Sequence, residues 1–205
     1  MARFSQVLFS VFALVLAGIS APANAVPITG GNTAIRVDIG SALTGAGGTI
    51  NPTGTAISLG TFSGEPAFGF PITGGDFGPP IIIQHTGSGL AFGFGVNTLT
   101  LSDFVISQTT LDISGSADLN GTTANGVSLF ALSPGADPTF PIALALTTNG
   151  AAAFSALLGT TVPDGTAFGS AFTNPTGAVS AVPEPATLTL FGVGLLIAGA
   201  VRRRR

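Results

Sequence analysis

The stretch Leu90-Ala91-Phe92-Gly93-Phe94-Gly95-Val96 alternates large apolar side chains with Ala and Gly. Successive side chains of a strand point to opposite faces, so this period of two sets Leu90, Phe92, Phe94 and Val96 on one face and leaves the other nearly bare. The same period recurs to either side. Ile35, Val37 and Ile39 alternate with Ala34, Arg36 and Asp38, and Phe68, Phe70 and Ile72 alternate with Gly69 and Pro71. Shorter alternations fall at Ile57 and Leu59, at Leu111, Ile113, Ala117 and Leu119, and at Ile142, Leu144 and Leu146. Ile81 to Ile83 and Phe104 to Ile106 are continuous apolar runs, suited to strands covered on both faces. Between these segments lie Gly74-Gly75, Pro79-Pro80, Gly87 to Gly89, Asn120-Gly121, Asn125-Gly126 and Asn149-Gly150. Asn-Gly pairs favour the positive φ angles of tight hairpin turns. Ala151 to Leu158 reads as a short helix, and no long stripe of period 3.6 appears inside the domain. About eight to ten strands at this spacing predict an all-β domain, an antiparallel β-sandwich over residues 26–158.

Ala67-Phe68-Gly69-Phe70 returns as Ala91-Phe92-Gly93-Phe94, with a looser echo at Ala167-Phe168-Gly169. A solenoid needs three or more stacked units at one interval, so the repeat reads as two strands with Phe on the core face and Gly on the other. From Gly159 to Ser180 the chain is rich in Gly, Thr, Pro and Ala, and residues 159–181 read as a linker.

The chain has 205 residues, of which 45% are hydrophobic and only 7% charged, far below the roughly 25% charged share of ordinary soluble proteins. One folded domain fits this length once the two ends are set aside. Between Val26 and Ala181 eight acids face a single base, Arg36, for a net charge of −7. A surface of that sign repels phosphate backbones, which excludes nucleic acid as the expected partner of the domain. The absence of Cys removes disulfides, thiolate metal sites and a thiol nucleophile, and is compatible with export.

Both ends carry targeting information. Arg3, an apolar run from Val7 to Ile19, and the segment ending Ala23-Asn24-Ala25 have the layout of a secretory signal peptide over residues 1–25. Small side chains at Ala23 and Ala25 fit the subsites of signal peptidase, which sets Val26 as the new N-terminus. At the other end, Val182, Pro183, Glu184 and Pro185 precede an uncharged apolar run over 186–201, and Arg202, Arg203, Arg204 and Arg205 close the chain. The apolar run gives a single membrane-spanning helix of about 24 Å, a little short of a hydrocarbon core, which sits tightly between the interfaces or gains length from Pro185 and the Arg aliphatic stems. The four Arg form a stop-transfer and hold the C-terminus in the cytoplasm. Pro185 keeps Glu184 out of the helix, so the triplet is an extended element that a processing enzyme can grip at the membrane surface.

This order of triplet, apolar helix and basic tail over residues 182–205 resembles the PEP-CTERM sorting signal of Gram-negative and related bacteria. The resemblance implies recognition and cleavage near the triplet by an exosortase, a multi-spanning membrane enzyme, in a system that accompanies exopolysaccharide production. It implies a membrane-held intermediate followed by release to the cell surface or extracellular matrix. It assigns no activity to the domain itself.

Few residues in the domain carry chemistry. His85 is its one general-base candidate, and Ser88 lies near it in Gly87-Ser88-Gly89-Leu90, but that is not the Gly-x-Ser-x-Gly elbow, because a strand follows. His85 reads as a turn or surface residue. Asp118, Asn120 and Gly121, with Asp112 on the same strand, form a fragment of an oxygen-ligand loop without the closing Glu of a calcium site, and read more simply as an Asx turn. Glycan-binding modules generally present Trp and Tyr, and all 16 aromatic residues here are Phe. The expected function is that of an exported, non-enzymatic surface or matrix protein without a cofactor. The competing expectation is an exopolysaccharide-binding module that uses Asp, Asn and Thr at loop tips, with or without calcium.

Overall fold

The computed structural model describes residues 26–177. The expected signal peptide with Ala23 and Ala25, the expected sorting element Val182 to Pro185, the apolar segment 186–201 and the Arg tail all lie outside the described residues. Among the described residues no helix is long and apolar enough to cross a membrane.

The chain forms β1 (Ile28–Arg36), α1 (Gly40–Gly45), β2 (Thr49–Gly54), β3 (Ile57–Phe62), β4 (Glu65–Pro71), β5 (Gly74–Asp76), β6 (Ile82–Phe94), β7 (Asn97–Ser107), β8 (Asp112–Leu119), β9 (Thr122–Pro134), β10 (Ile142–Leu146), α2 (Thr148–Leu158) and β11 (Ala167–Gly177). All pairing is antiparallel, in one sheet of order β2-β6-β7-β8-β9-β10-β11-β1-β4-β3, with β5 beside β6. The two layers expected of a sandwich are the two halves of this one sheet folded towards each other. Phe92 on β6 meets Phe168 on β11 at 6.1 Å between ring centroids, and Phe104 on β7 meets Phe70 on β4 at 5.5 Å. Neither pair joins neighbouring strands, so both contacts cross the core.

The alternation that predicts the strands also fills this core. Phe68, Phe70, Leu90, Phe92, Leu99 and Leu101 are all nearly inaccessible. Four rings gather at its centre, where Phe168 lies 4.5 Å from Phe130, 5.6 Å from Phe154 and 6.1 Å from Phe92. Phe154 comes from α2, whose start is capped by the Thr147 hydroxyl accepting from the Gly150 amide at 3.2 Å and whose end is Gly159 in the left-handed region. Gly150 fits where a Cβ would fall 2.2 Å from the Leu129 carbonyl oxygen, so its lack of a side chain sets how closely α2 seats on β9.

Several expectations need correction. Ala167–Gly177, placed by composition in a linker, is strand β11, paired with β10 on one side and β1 on the other. Its Phe168 and Ala171 are core residues, and their burial outweighs the low strand propensity of the surrounding Gly and Pro. Ile57 and Leu59 are exposed, because β3 ends the sheet path and has every residue accessible. Val96 is 97% exposed at the tip of the β6–β7 turn, where Gly95 takes φ +60°. Asn149-Gly150 opens a helix, and Gly87 to Gly89 lie inside β6 at a break in its register with β7. Asn120-Gly121 is the hairpin turn expected of it, with φ of +51° and +86° between β8 and β9.

Candidate functional site

His85 is a core residue, 1% exposed, which corrects its reading as a turn residue. Its Nδ1 lies 3.0 Å from the Pro71 carbonyl oxygen, which only accepts, so Nδ1 carries the proton of the neutral ring. Nε2 is then the acceptor, 3.1 Å from Thr33 Oγ1, which is itself 2.8 Å from the Thr173 hydroxyl. Burial holds the imidazole below its ordinary pKa, against the smaller upward pull of the Pro71 carbonyl. Ser88 does not face the ring: its hydroxyl donates to the His85 carbonyl oxygen at 2.9 Å. The two residues are neighbours without forming a nucleophile and base pair.

The Asp118 loop is an Asx turn. Its carboxylate accepts from the Thr123 hydroxyl at 2.5 Å and from the Gly121 amide at 2.8 Å, and these two bonds, the Thr123 one foremost, hold its pKa below the usual carboxylate range. Asn120 accepts from the Thr98 amide at 2.8 Å, while Asp112, at the other end of β8, accepts from the Thr110 hydroxyl. No three His, Cys, Asp or Glu side chains among the described residues gather as a metal site.

A different polar cluster forms at a place that carries little local signal. Ser133, Ala143, Ser170, Arg36 and Ala67 are successive cross-strand partners on β9, β10, β11, β1 and β4. Directly opposed residues share a face, so these five form one row on the face away from the core. The register break between Leu144 and Ala145 in the β10–β11 pair allows Phe168 to enter the core while Ala167 and Ser170 stay in the row's face. Residues 135–141, between β9 and β10, wall this face. Arg36 Nη1 donates to Asp137 of that segment at 2.5 Å, its Nε donates to Asp38 at 2.6 Å, and its guanidinium carbon lies 5.3 Å from the centroid of the buried Phe140 ring. The Asp137 carboxyl is held below its usual range, first by the Thr139 amide and then by Arg36.

Beside the row lies an open pocket of about 460 Å³, lined by Ala143, Ala145, Ala167, Arg36, Asp38 and Asp137. Ser170 lines it, is only 6% exposed, and its hydroxyl has no hydrogen-bond partner. An unpaired buried hydroxyl costs about 1–3 kcal/mol, so this one is a conspicuous exception in an otherwise satisfied domain. A second pocket of about 390 Å³ lies between the two helices, lined by Leu43, Phe94, Phe154 and Leu158, and it is almost wholly apolar.

No curated protein matches the chain. Among solved structures, the fold is similar to that of the heme binding protein HtaB from Corynebacterium glutamicum, with a TM-score of 0.53 and 16% identity over 76% of this chain and 96% of that one. The C-terminal domain of HtaA from the same organism is also similar, with a TM-score of 0.48 and 14% identity over 75% of this chain and 99% of that one. At such identities the likeness to HtaB is one of fold. Residues 181–205 match the family model described as the PEP-CTERM protein-sorting motif, so the resemblance of the C-terminal segment is shown on that segment, with the export and membrane sorting by an exosortase that the motif implies.

Proposed function

We propose that the chain is an exported, non-enzymatic protein of the cell surface or extracellular matrix. Its signal peptide is removed after Ala25, its β domain folds outside the cytoplasm, and its tail is processed at Val182 to Pro185 by an exosortase. The observation that carries this reading is the match of residues 181–205 to the sorting motif. A structural or adhesive role alongside exopolysaccharide follows from the company such tails keep. The domain supports it with a small stock of reactive groups: its one imidazole is buried with both nitrogens engaged, and Ser88 is turned away from it. Mass spectrometry of the protein recovered from its host tests the reading. The mature chain should begin at Val26 and lack Arg202 to Arg205, and an intact basic tail in a host with an exosortase would overturn it.

The fold relative named for heme does not bring heme to this chain. Heme iron is held by His, Tyr, Cys or Met. Residues 26–177 contain no Tyr, Cys or Met, and His85 has its ring nitrogens bonded to Thr33 and Pro71 inside the core. The apolar pocket between the helices offers no ligating side chain in its lining. The residues present do not fit the group.

A further inference from the structure

At the end of the core opposite the two helices, five strands leave a cavity of about 460 Å³. β6, β7, β9, β10 and β11 wall it with Ile83, Ile106, Leu132, Ile142 and Thr173, and Leu111 stands at its rim in the turn between β7 and β8. The strand residues all face the core: Ile83 and Ile106 are buried, Leu132 lies opposite the buried Leu144, Ile142 opposite the buried Ala171, and Thr173 opposite the buried Thr33. We propose that this mouth binds an uncharged amphiphile, an aliphatic body that carries one hydroxyl, with that hydroxyl donating to Thr173. The inference goes beyond the surface-protein reading and holds whether or not the tail is cut.

The proton order of the core fixes what Thr173 can offer. His85 Nδ1 gives its proton to the Pro71 carbonyl, so Nε2 only accepts, and the donor beside it is Thr33 at 3.1 Å. Thr33 has a single proton, which leaves it accepting from Thr173 across their 2.8 Å contact. The reverse order would strand Nε2 as a buried acceptor without a donor. Thr173 therefore points its own proton inward and presents only lone pairs to the cavity. A ligand that meets it has to bring the proton, as an alcohol does.

Leu111 points to a ligand independently. Its backbone sits at φ +51°, where a bulky side chain is strained, and that side chain is still 58% exposed. Hydrogen bonds hold the strained turn at both sides, from the Leu132 amide to the Leu111 carbonyl at 2.7 Å and from the Gln108 amide to the Ile81 carbonyl at 3.1 Å. The free domain thus keeps the strain without the apolar burial that would offset it, and an aliphatic ligand in the mouth supplies that burial. Among the described residues no charged side chain lines the cavity, so a carboxylate or ammonium end would lose water there without gaining a partner. The volume lies in the range of small-ligand sites, which favour apolar walls with a few placed polar groups.

The test is titration of the full-length protein in lipid nanodiscs, which keep detergent away from the mouth, with empty discs giving the background. The probes are n-hexanol, hexanoate and hexylammonium. His85 is the one histidine of the chain, so its isotope-labelled ring nitrogens give a single nuclear magnetic resonance readout of the relay. Hexanol should bind saturably in the millimolar range and shift the Nε2 resonance, and the two ions should do neither. Thr173→Val should weaken hexanol binding about fivefold, the loss of one hydrogen bond, while Thr173→Ser keeps it. Leu111→Gly should weaken it about threefold yet melt no lower than the wild type, because glycine takes the left-handed backbone without strain. The proposal is overturned if hexanol does not bind, if either ion binds in preference, if binding leaves the His85 signal unmoved, or if Thr173→Val and Leu111→Gly both bind like the wild type. The probe series on the wild-type chain decides the matter even where a variant fails to fold.

Discussion

His85 Nε2 lies 3.1 Å from the Thr33 hydroxyl, and the two residues belong to β6 and β1, which are not neighbours in the sheet. The contact spans the interior between the two halves and ties a neutral imidazole into the core. Burial lowers the His85 pKa in the folded state, so the unfolded chain binds a proton first as the pH falls. The stability that the neutral ring confers is therefore present above its unfolded pKa of about 6.5 and is lost as the pH falls from there towards the lower folded value. Urea denaturation at pH 7 and pH 5 should show the protein weakened at pH 5, with a slope of at most about 1.4 kcal/mol per pH unit. His85→Gln should be less stable overall and level across that window. A wild-type stability that does not change between these pH values would refute the buried, neutral state.

The carboxylates respond in a separate window. Glu65, Asp118 and Asp137 all have folded pKa values below their ordinary ones, so their contribution is intact above about pH 4 and lost as the pH falls further. A denaturation series should resolve an acid limb below about pH 4 that His85→Gln leaves in place.

Strand β11 belongs to the domain, and a truncation measures this directly. A chain ending at residue 158 lacks the partner of both β10 and β1 and should give no cooperative unfolding transition. A chain ending at residue 177 should keep one. If the shorter chain unfolds cooperatively with the same midpoint, the strand is an ornament and the domain ends at α2.

Phe168 is the side chain on which three other rings converge. Phe168→Ala should destabilise by about 3–5 kcal/mol, the cost of a large buried aromatic removed with incomplete collapse of the cavity. Substitution of the exposed Phe172, four residues further along the same strand, should cost well under 1 kcal/mol, as expected of surface positions. Melting temperatures of the two variants check the contrast.

The Asn120-Gly121 turn places both residues at positive φ. Gly121→Val puts a β-branched residue where it is strained and should cost about 1–3 kcal/mol, whereas Asn120→Gly should cost less than 1 kcal/mol. Equal effects would mean that the loss arises elsewhere than in the backbone.

The period-two segments made the strands of the core legible because burial and the pleat select the same residues: Phe68, Phe70, Leu90 and Phe92 all face inward as read. What the pattern could not convey is position within the sheet. Ile57 and Leu59 alternate as well as any pair, yet β3 ends the sheet path and its side chains face solvent. Composition misled at Ala167–Gly177, where Gly, Thr and Pro disguise a strand whose partners come from residues more than 20 positions and more than 130 positions earlier in the chain. The sorting motif over residues 181–205 was legible because its signal is local order. The outer-face pocket was not, since Ser133, Ser170 and Arg36 meet only through a register that four strands set together.

The pairing of β1 with β11 sets Ile28 opposite Gly177. Synthesis runs from the N-terminus, so the first strand made has to wait for the last one before it gains that neighbour. Closing so distant a pair is slow, and until it happens apolar strands such as β6 lack their full cover. The domain therefore completes itself late, only when the chain has been made as far as residue 177, and the order of events is written into its topology: synthesis first, then architecture.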